Sequence, residues 1–142
     1  MNMNPVMPHG LTVAHWCILA AALLPLLCAY IAKWGLLRTP PGQGGFDNAD
    51  PRGWLARQTD WRARANAAQA NGFEGLPFFI GAVLLAGMLG APQGRLDLLA
   101  LLYVLLRLGY IVAYVGGMPT VRSAVWALGF LANVAIFLLG WR

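Results

Sequence analysis

The stretch LDLLALLYVLLRLGYIVAYV, residues 96–115, decides the fold. Apolar side chains fill most of it, over about the 20 residues that a helix needs to cross a hydrocarbon core about 30 Å thick. Three more stretches read the same way: residues 11–34, with Pro25 inside, residues 72–89 and residues 123–141. The connections 90–95 and 116–122 are short and carry Gly and Pro, so the spans they join run antiparallel. The expected fold is an all-α integral membrane protein, one domain over residues 1–142, built as an up-and-down bundle of four transmembrane helices.

Composition points the same way. Of the 142 residues 59% are hydrophobic and 11% charged, with a mean hydropathy of +0.62, whereas soluble domains carry about 25% charged residues. Ten Lys or Arg and five Asp or Glu are too few to coat a soluble surface of this size. The net charge of +5 has no basic helix with interleaved aromatics outside the apolar segments, so the implied partner is the lipid bilayer and not a nucleic acid. Cys17 and Cys28 stand in one apolar span, roughly 16 Å apart along a helix, too far for a disulfide, and read as small apolar fillers. No zinc spacing, P-loop or HExxH pattern is present, so no metal is expected. The start MNMNPVMPHG lacks the basic residues of a signal peptide, and the first span reads as retained.

The connection between the first two spans, residues 35–59, begins with the Gly- and Pro-rich TPPGQGG and continues into a charged segment. Lys33, Arg38, Arg52, Arg57, Arg62 and Arg64 flank or occupy it, and Arg122 lies in the third connection on the same side, with Arg95 and Arg142 opposite. That asymmetry predicts a cytoplasmic long loop and both termini outside, periplasmic if the membrane is a bacterial inner membrane. Thr59 or Asp60 can cap a helix that starts near residue 60, before the apolar part of the second span, and Pro77 predicts a kink within it.

Ionisable groups inside spans are rare and mark function by default. Glu74 and Arg107 lie at similar depth in the second and third spans. They read either as an ion pair that fixes helix register or as part of a ligand site. On the second helix Arg64, Ala67 or Ala68, Asn71, Glu74 and Phe78 recur at helical spacing, a polar stripe directed into the bundle. Tyr103, Arg107, Tyr110 and Tyr114 form one face of the third, where the tyrosines suit interfacial anchoring or a site around the Arg. Ser123, Trp126, Phe130, Asn133 and Phe137 share a face of the fourth, read as packing with Asn133 in an interhelical hydrogen bond. Arg64, Arg107 and Arg122 outnumber the single carboxylate of Glu74, which suits an anionic ligand such as a small zwitterion with carboxylates and amides. A lipophilic co-substrate can arrive through the bilayer.

RARANAAQANGFEGLPFF, residues 62–79, resembles the signature of the MAPEG family, the membrane-associated proteins in eicosanoid and glutathione metabolism. The core is Asn71, Glu74 and Pro77, and the likeness extends to Arg107 and Tyr114 and to Arg122 followed by Ser123. NADPRGWLARQTDWRARA, residues 48–65, is similar to the bacterial branch. The resemblance implies a homotrimer that binds glutathione as co-substrate, with transferase or peroxidase activity on lipophilic electrophiles or lipid hydroperoxides. It implies that Asn71 and Glu74 hold the glutathione amine and backbone. Arg64, Arg107, Tyr110 and Tyr114 would line the pocket, Arg122 or Ser123 would stabilise the thiolate, and Lys33 or Arg38 of a neighbouring subunit would complete it. Ala67 stands where many relatives carry Arg, and Gln69 where several carry His. Those departures motivate an alternative, a MAPEG-like binding or structural protein without chemistry. A transporter would call for broken helices or an inverted repeat, neither of which is found.

Overall fold

A computed structural model describes residues 10–141; the segment 1–9, with most of the N-terminal stretch discussed above, and Arg142 lie outside the described residues. The described chain contains five α-helices and no strand: α1 (Val13–Ala32), α2 (Pro51–Ala56), α3 (Trp61–Met88), α4 (Gln93–Val115) and α5 (Pro119–Leu138). All but the short α2 are long and apolar enough to cross a membrane. The helix of the fourth span begins at Pro119, ahead of Ser123, because Pro at the first helical position needs no N–H partner and presets φ. α3 runs without interruption through Pro77, where the carbonyl one turn back lacks its usual donor.

The two tight connections share one chemistry. Gly90 and Gly117 adopt φ of +72° and +71°, a left-handed conformation that costs a glycine nothing. In each case the next residue reaches back into the helix: Ala91 N–H donates to Ala86 O at 3.0 Å and Met118 N–H to Ala113 O at 2.9 Å. These paired bonds satisfy carbonyls that a helix end leaves free. They reverse the chain within a few residues and make α3, α4 and α5 successive antiparallel neighbours. The long connection then places the C-terminal end of α1 beside the start of α3 and the end of α4.

The core is made of small side chains. Ala14, Cys17 and Ala21 of α1 meet Ala82, Val83 and Ala86 of α3 and Ala100 of α4, around Phe79, Tyr103 and Ile136. Lipid competes with apolar side chains for the same contacts, so helices in a bilayer associate through close backbone approach, which small residues permit. Cys17 and Cys28 are buried free thiols. At the end away from the long loop, Asp97 of α4 accepts from Ala14 N–H at 2.8 Å and from Gln93 Nε2 at 2.8 Å. A carboxylate on the N-terminus of α1 satisfies an orphan donor and complements the helix dipole.

The long loop is folded against the bundle. Trp54 of α2 is buried, Phe46 packs edge-on to it at 5.2 Å, and the Lys33 ammonium sits 4.3 Å above the Phe46 ring. Asp60 caps α3, accepting from Arg62 N–H at 2.9 Å and from Arg62 Nη1 at 2.8 Å. The Arg62 backbone N–H, then its guanidinium, hold the Asp60 carboxyl below its ordinary range. A depressed carboxylate pKa stabilises the folded state above the unfolded value, and that contribution is lost as pH falls through the folded one. Thermal unfolding of solubilised wild type compared between about pH 5 and about pH 3 is therefore expected to drop further than that of Asp60→Asn, which keeps a cap but not the titration.

Candidate functional site

α3 supplies Asn71 and Glu74 one turn apart, and α4 supplies Arg107 facing them. Arg107 is only 8% exposed. Its Nη1 donates to Asn71 Oδ1 at 3.0 Å, and its guanidinium carbon lies 4.5 Å from the Tyr110 ring centre. Asn71 Nδ2 in turn donates to Glu74 Oε2 at 3.4 Å. Among the described residues the ion pairs are Arg57 with Asp50 and Arg62 with Asp60, so Glu74 and Arg107 are not directly paired. Asn71 relays between them. Glu74 and Phe78 of the stripe are exposed on this chain, whereas Asn71 is half-buried, and the Glu74 carboxylate is left able to accept from another group.

Two chambers flank this relay and share Asn71 and Trp126 as walls. The first, of about 280 Å³, is lined by Asn71, Tyr110, Tyr114, Arg122, Ser123 and Trp126 and lies toward the long-loop end. The second, of about 230 Å³, lies deeper, with Glu74, Phe78, Tyr103, Arg107, Phe130 and Asn133 among its walls. The Arg122 guanidinium carbon stands 4.6 Å from the Tyr114 ring centre. Ser123, near the start of α5, is exposed and lines this chamber. The polar chamber thus carries a cationic fork, phenol and serine hydroxyls and an amide, a donor-rich set suited to carboxylates or to a developing anion.

Other sequence-predicted residues fall elsewhere. Arg64 borders a neighbouring recess with Tyr114 and Arg122, but its Nε donates to Val115 O at 2.9 Å, so part of its fork caps α4. Lys33 faces Phe46, and Arg38 lies in a surface groove with Tyr30 and Trp34; neither lines the two chambers within one chain. Tyr103 shares the arginine's face of α4, yet it stacks on Phe79 at 4.1 Å and borders only the deep chamber of the two.

Two features escape a reading by periodicity. The aromatic face of α5 does not simply pack: Trp126, Phe130 and Asn133 wall the deep chamber, and the expected interhelical hydrogen bond is absent because Asn133 Oδ1 has no partner. Asp97 stands near the start of a span, where a charge reads as interfacial, and its bond to Ala14 joins residues 83 apart in sequence.

No curated protein and no solved structure matches the chain significantly. The MAPEG family model matches residues 13–141, from the start of α1 to beyond α5 and through every residue of both chambers, and with its four membrane-spanning helices this integral membrane protein belongs to that family.

Proposed function

We propose that this protein is a glutathione-binding membrane enzyme, a transferase or peroxidase acting on lipophilic electrophiles or lipid hydroperoxides. The family includes glutathione-dependent transferases and peroxidases alongside other members. The observation that carries the proposal is the donor-rich polar chamber set against an aromatic one, both opening on the flank of an apolar bundle. Glutathione has two carboxylates, an ammonium and two amides. Glu74 and Asn71 would take its amine and backbone, and Arg107, Tyr110, Tyr114 and Arg64 its carboxylates and peptide groups. Arg122 and Ser123 would face the sulfur, lowering a thiol pKa from about 8.5 by stabilising the anion. The thiolate then attacks the electrophile, the C–S bond forming as the leaving group departs or the double bond takes up the electron pair.

The proposed assembly is a homotrimer in which Lys33 or Arg38 of a neighbouring subunit closes the chamber, since neither reaches it within one chain. The proposed setting is a bacterial inner membrane with the long loop cytoplasmic and both termini periplasmic, supported by the excess of Lys and Arg at the long-loop end.

Titrating the detergent-solubilised protein with glutathione near neutral pH is expected to develop thiolate ultraviolet absorbance and then conjugation of a generic electrophile. Arg122→Leu is expected to lower turnover on the order of a hundredfold with glutathione still bound, the usual cost of one lost donor to a reacting anion. Absence of binding overturns the proposal. A second reading, a MAPEG protein that binds without chemistry, draws on Ala67 and on the Arg64 Nε already committed to Val115. Binding without thiolate would favour it.

A further inference from the structure

Arg64 and Arg122 border one open recess of about 300 Å³ beside the polar chamber, walled further by Gly117, Met118 and Pro119 of the α4–α5 turn. Tyr114 and Arg122 form the partition, since they line both spaces, whereas Arg64 lines the recess and not the chamber. The Arg64 guanidinium is held in place there. Its Nε donates to Val115 O at 2.9 Å, and the position that a Cβ would take on Gly117 lies 3.7 Å from its Cζ. Among the described residues its two Nη groups have no acceptor, and Arg122, lying over Tyr114, makes no side-chain hydrogen bond. Neither arginine is paired with a carboxylate, because the ion pairs among the described residues are Arg57 with Asp50 and Arg62 with Asp60. Two half-buried cations at one recess repel each other, and an anion between them removes that cost.

The recess lies where α4 ends at Val115 and α5 begins at Pro119, the level at which two spans leave the hydrocarbon and lipid phosphates begin. It is also at the long-loop end, where most of the Lys and Arg collect and an anionic leaflet is favoured. Met118 is 42% exposed at its rim and offers apolar surface to the glycerol and upper acyl carbons of a lipid. We propose that this recess binds the phosphate of an anionic phospholipid between Arg64 and Arg122, in competition with glutathione for those two cations. A guanidinium fork matches two phosphate oxygens, and two forks without a carboxylate favour a headgroup with net negative charge. A phosphate on Arg122 lowers the positive charge that the same residue presents to the chamber, so each anion weakens the other by the same factor. The competition rests on the function proposed above, while the binding of phosphate requires no glutathione.

Native mass spectrometry of the protein released from nanodiscs of phosphatidylcholine with a minor share of phosphatidylglycerol reads the lipid retained on each chain. Wild type is expected to retain phosphatidylglycerol on the order of tenfold above its share of the disc, from two arginines at a lipid surface. Arg64→Gln and Arg122→Gln are each expected to cut that enrichment about fivefold, while Arg52→Gln, which removes the same charge from the exposed long loop, leaves it within about twofold. Arg64→Lys keeps the charge but not the fork, is expected to recover only part of the enrichment, and stands in if the Gln variants misfold. No enrichment in wild type, an equal loss in Arg52→Gln, or full enrichment in a folded Arg64 or Arg122 variant overturns the proposal. Glycerol 3-phosphate separates the two sources of a phosphate: at millimolar concentration it is expected to leave the lipid in place, and complete displacement would assign the recess to a soluble ester and overturn the lipid reading. Saturating glutathione is expected to lower the enrichment toward that of Arg64→Gln. Glutathione that binds without lowering it overturns the competition, whereas missing glutathione binding with the enrichment intact sinks the enzyme reading alone.

Discussion

Arg107→Ala is expected to weaken glutathione binding on the order of a hundredfold or more, the usual consequence of removing one partner from a buried, hydrogen-bonded charged contact. Among the described residues the guanidinium is the one charged group buried at the chambers. Its Nη1 bond fixes the Asn71 amide, and Asn71 in turn bonds Glu74, so truncation removes the cation and releases both α3 side chains. Arg107→Lys restores charge but not the planar fork that grips Asn71 while lying over Tyr110, and it is expected to recover only part of the affinity. Calorimetric titration with glutathione measures the loss. Detergent-resistant assembly, measured alongside it, gives the outcome that would refute the ligand role: if Arg107→Ala abolishes assembly while wild type never binds glutathione, the relay serves register alone.

Gly72→Val tests the scaffold on which that relay depends. A Cβ at Gly72 would lie 2.8 Å from Pro25 Cγ, and Pro25 is fully buried in α1 with a ring that has no rotamer to escape into. Valine, branched at Cβ, must push α1 and α3 apart, at about 1–3 kcal/mol for overpacking a well-filled contact. The shift is felt next door, because Asn71 precedes Gly72 and Glu74 follows two residues later. Both a lower unfolding temperature and weaker glutathione binding are therefore expected. Gly81→Ala is the control: a Cβ there meets nothing within 4 Å. Losing a helical glycine should leave that variant as stable as wild type or about 0.5–1 kcal/mol more stable. Equal losses at both positions would show that any α3 glycine substitution is harmful and that the contact with Pro25 is not special.

Particular residues show how far the sequence carries. Arg107 and Glu74 could be singled out without coordinates, because a charge in an apolar run is anomalous whatever surrounds it. Their partnership could not. Equal depth suggests a direct pair, yet Asn71, 36 residues before Arg107, takes the guanidinium and leaves the Glu74 carboxylate open. Helical periodicity placed Trp126, Phe130 and Asn133 on one face, but a face carries no information about whether the opposing helices fill the space before it. Asp97 reads as an ordinary interfacial charge until α1 delivers Ala14 N–H to it.

What the sequence by itself determined is the class of solvent, the four spans and the residue types that do not belong in lipid. These are local properties: each side chain carries its own transfer free energy and each span its own length. What only the tertiary structure decided is which polar groups satisfy one another and where a void remains. Those depend on interhelical distances set by contacts as small as Gly72 on Pro25 and Ala86 within the α1–α3 core, which join residues far apart in sequence and are written in no single helix.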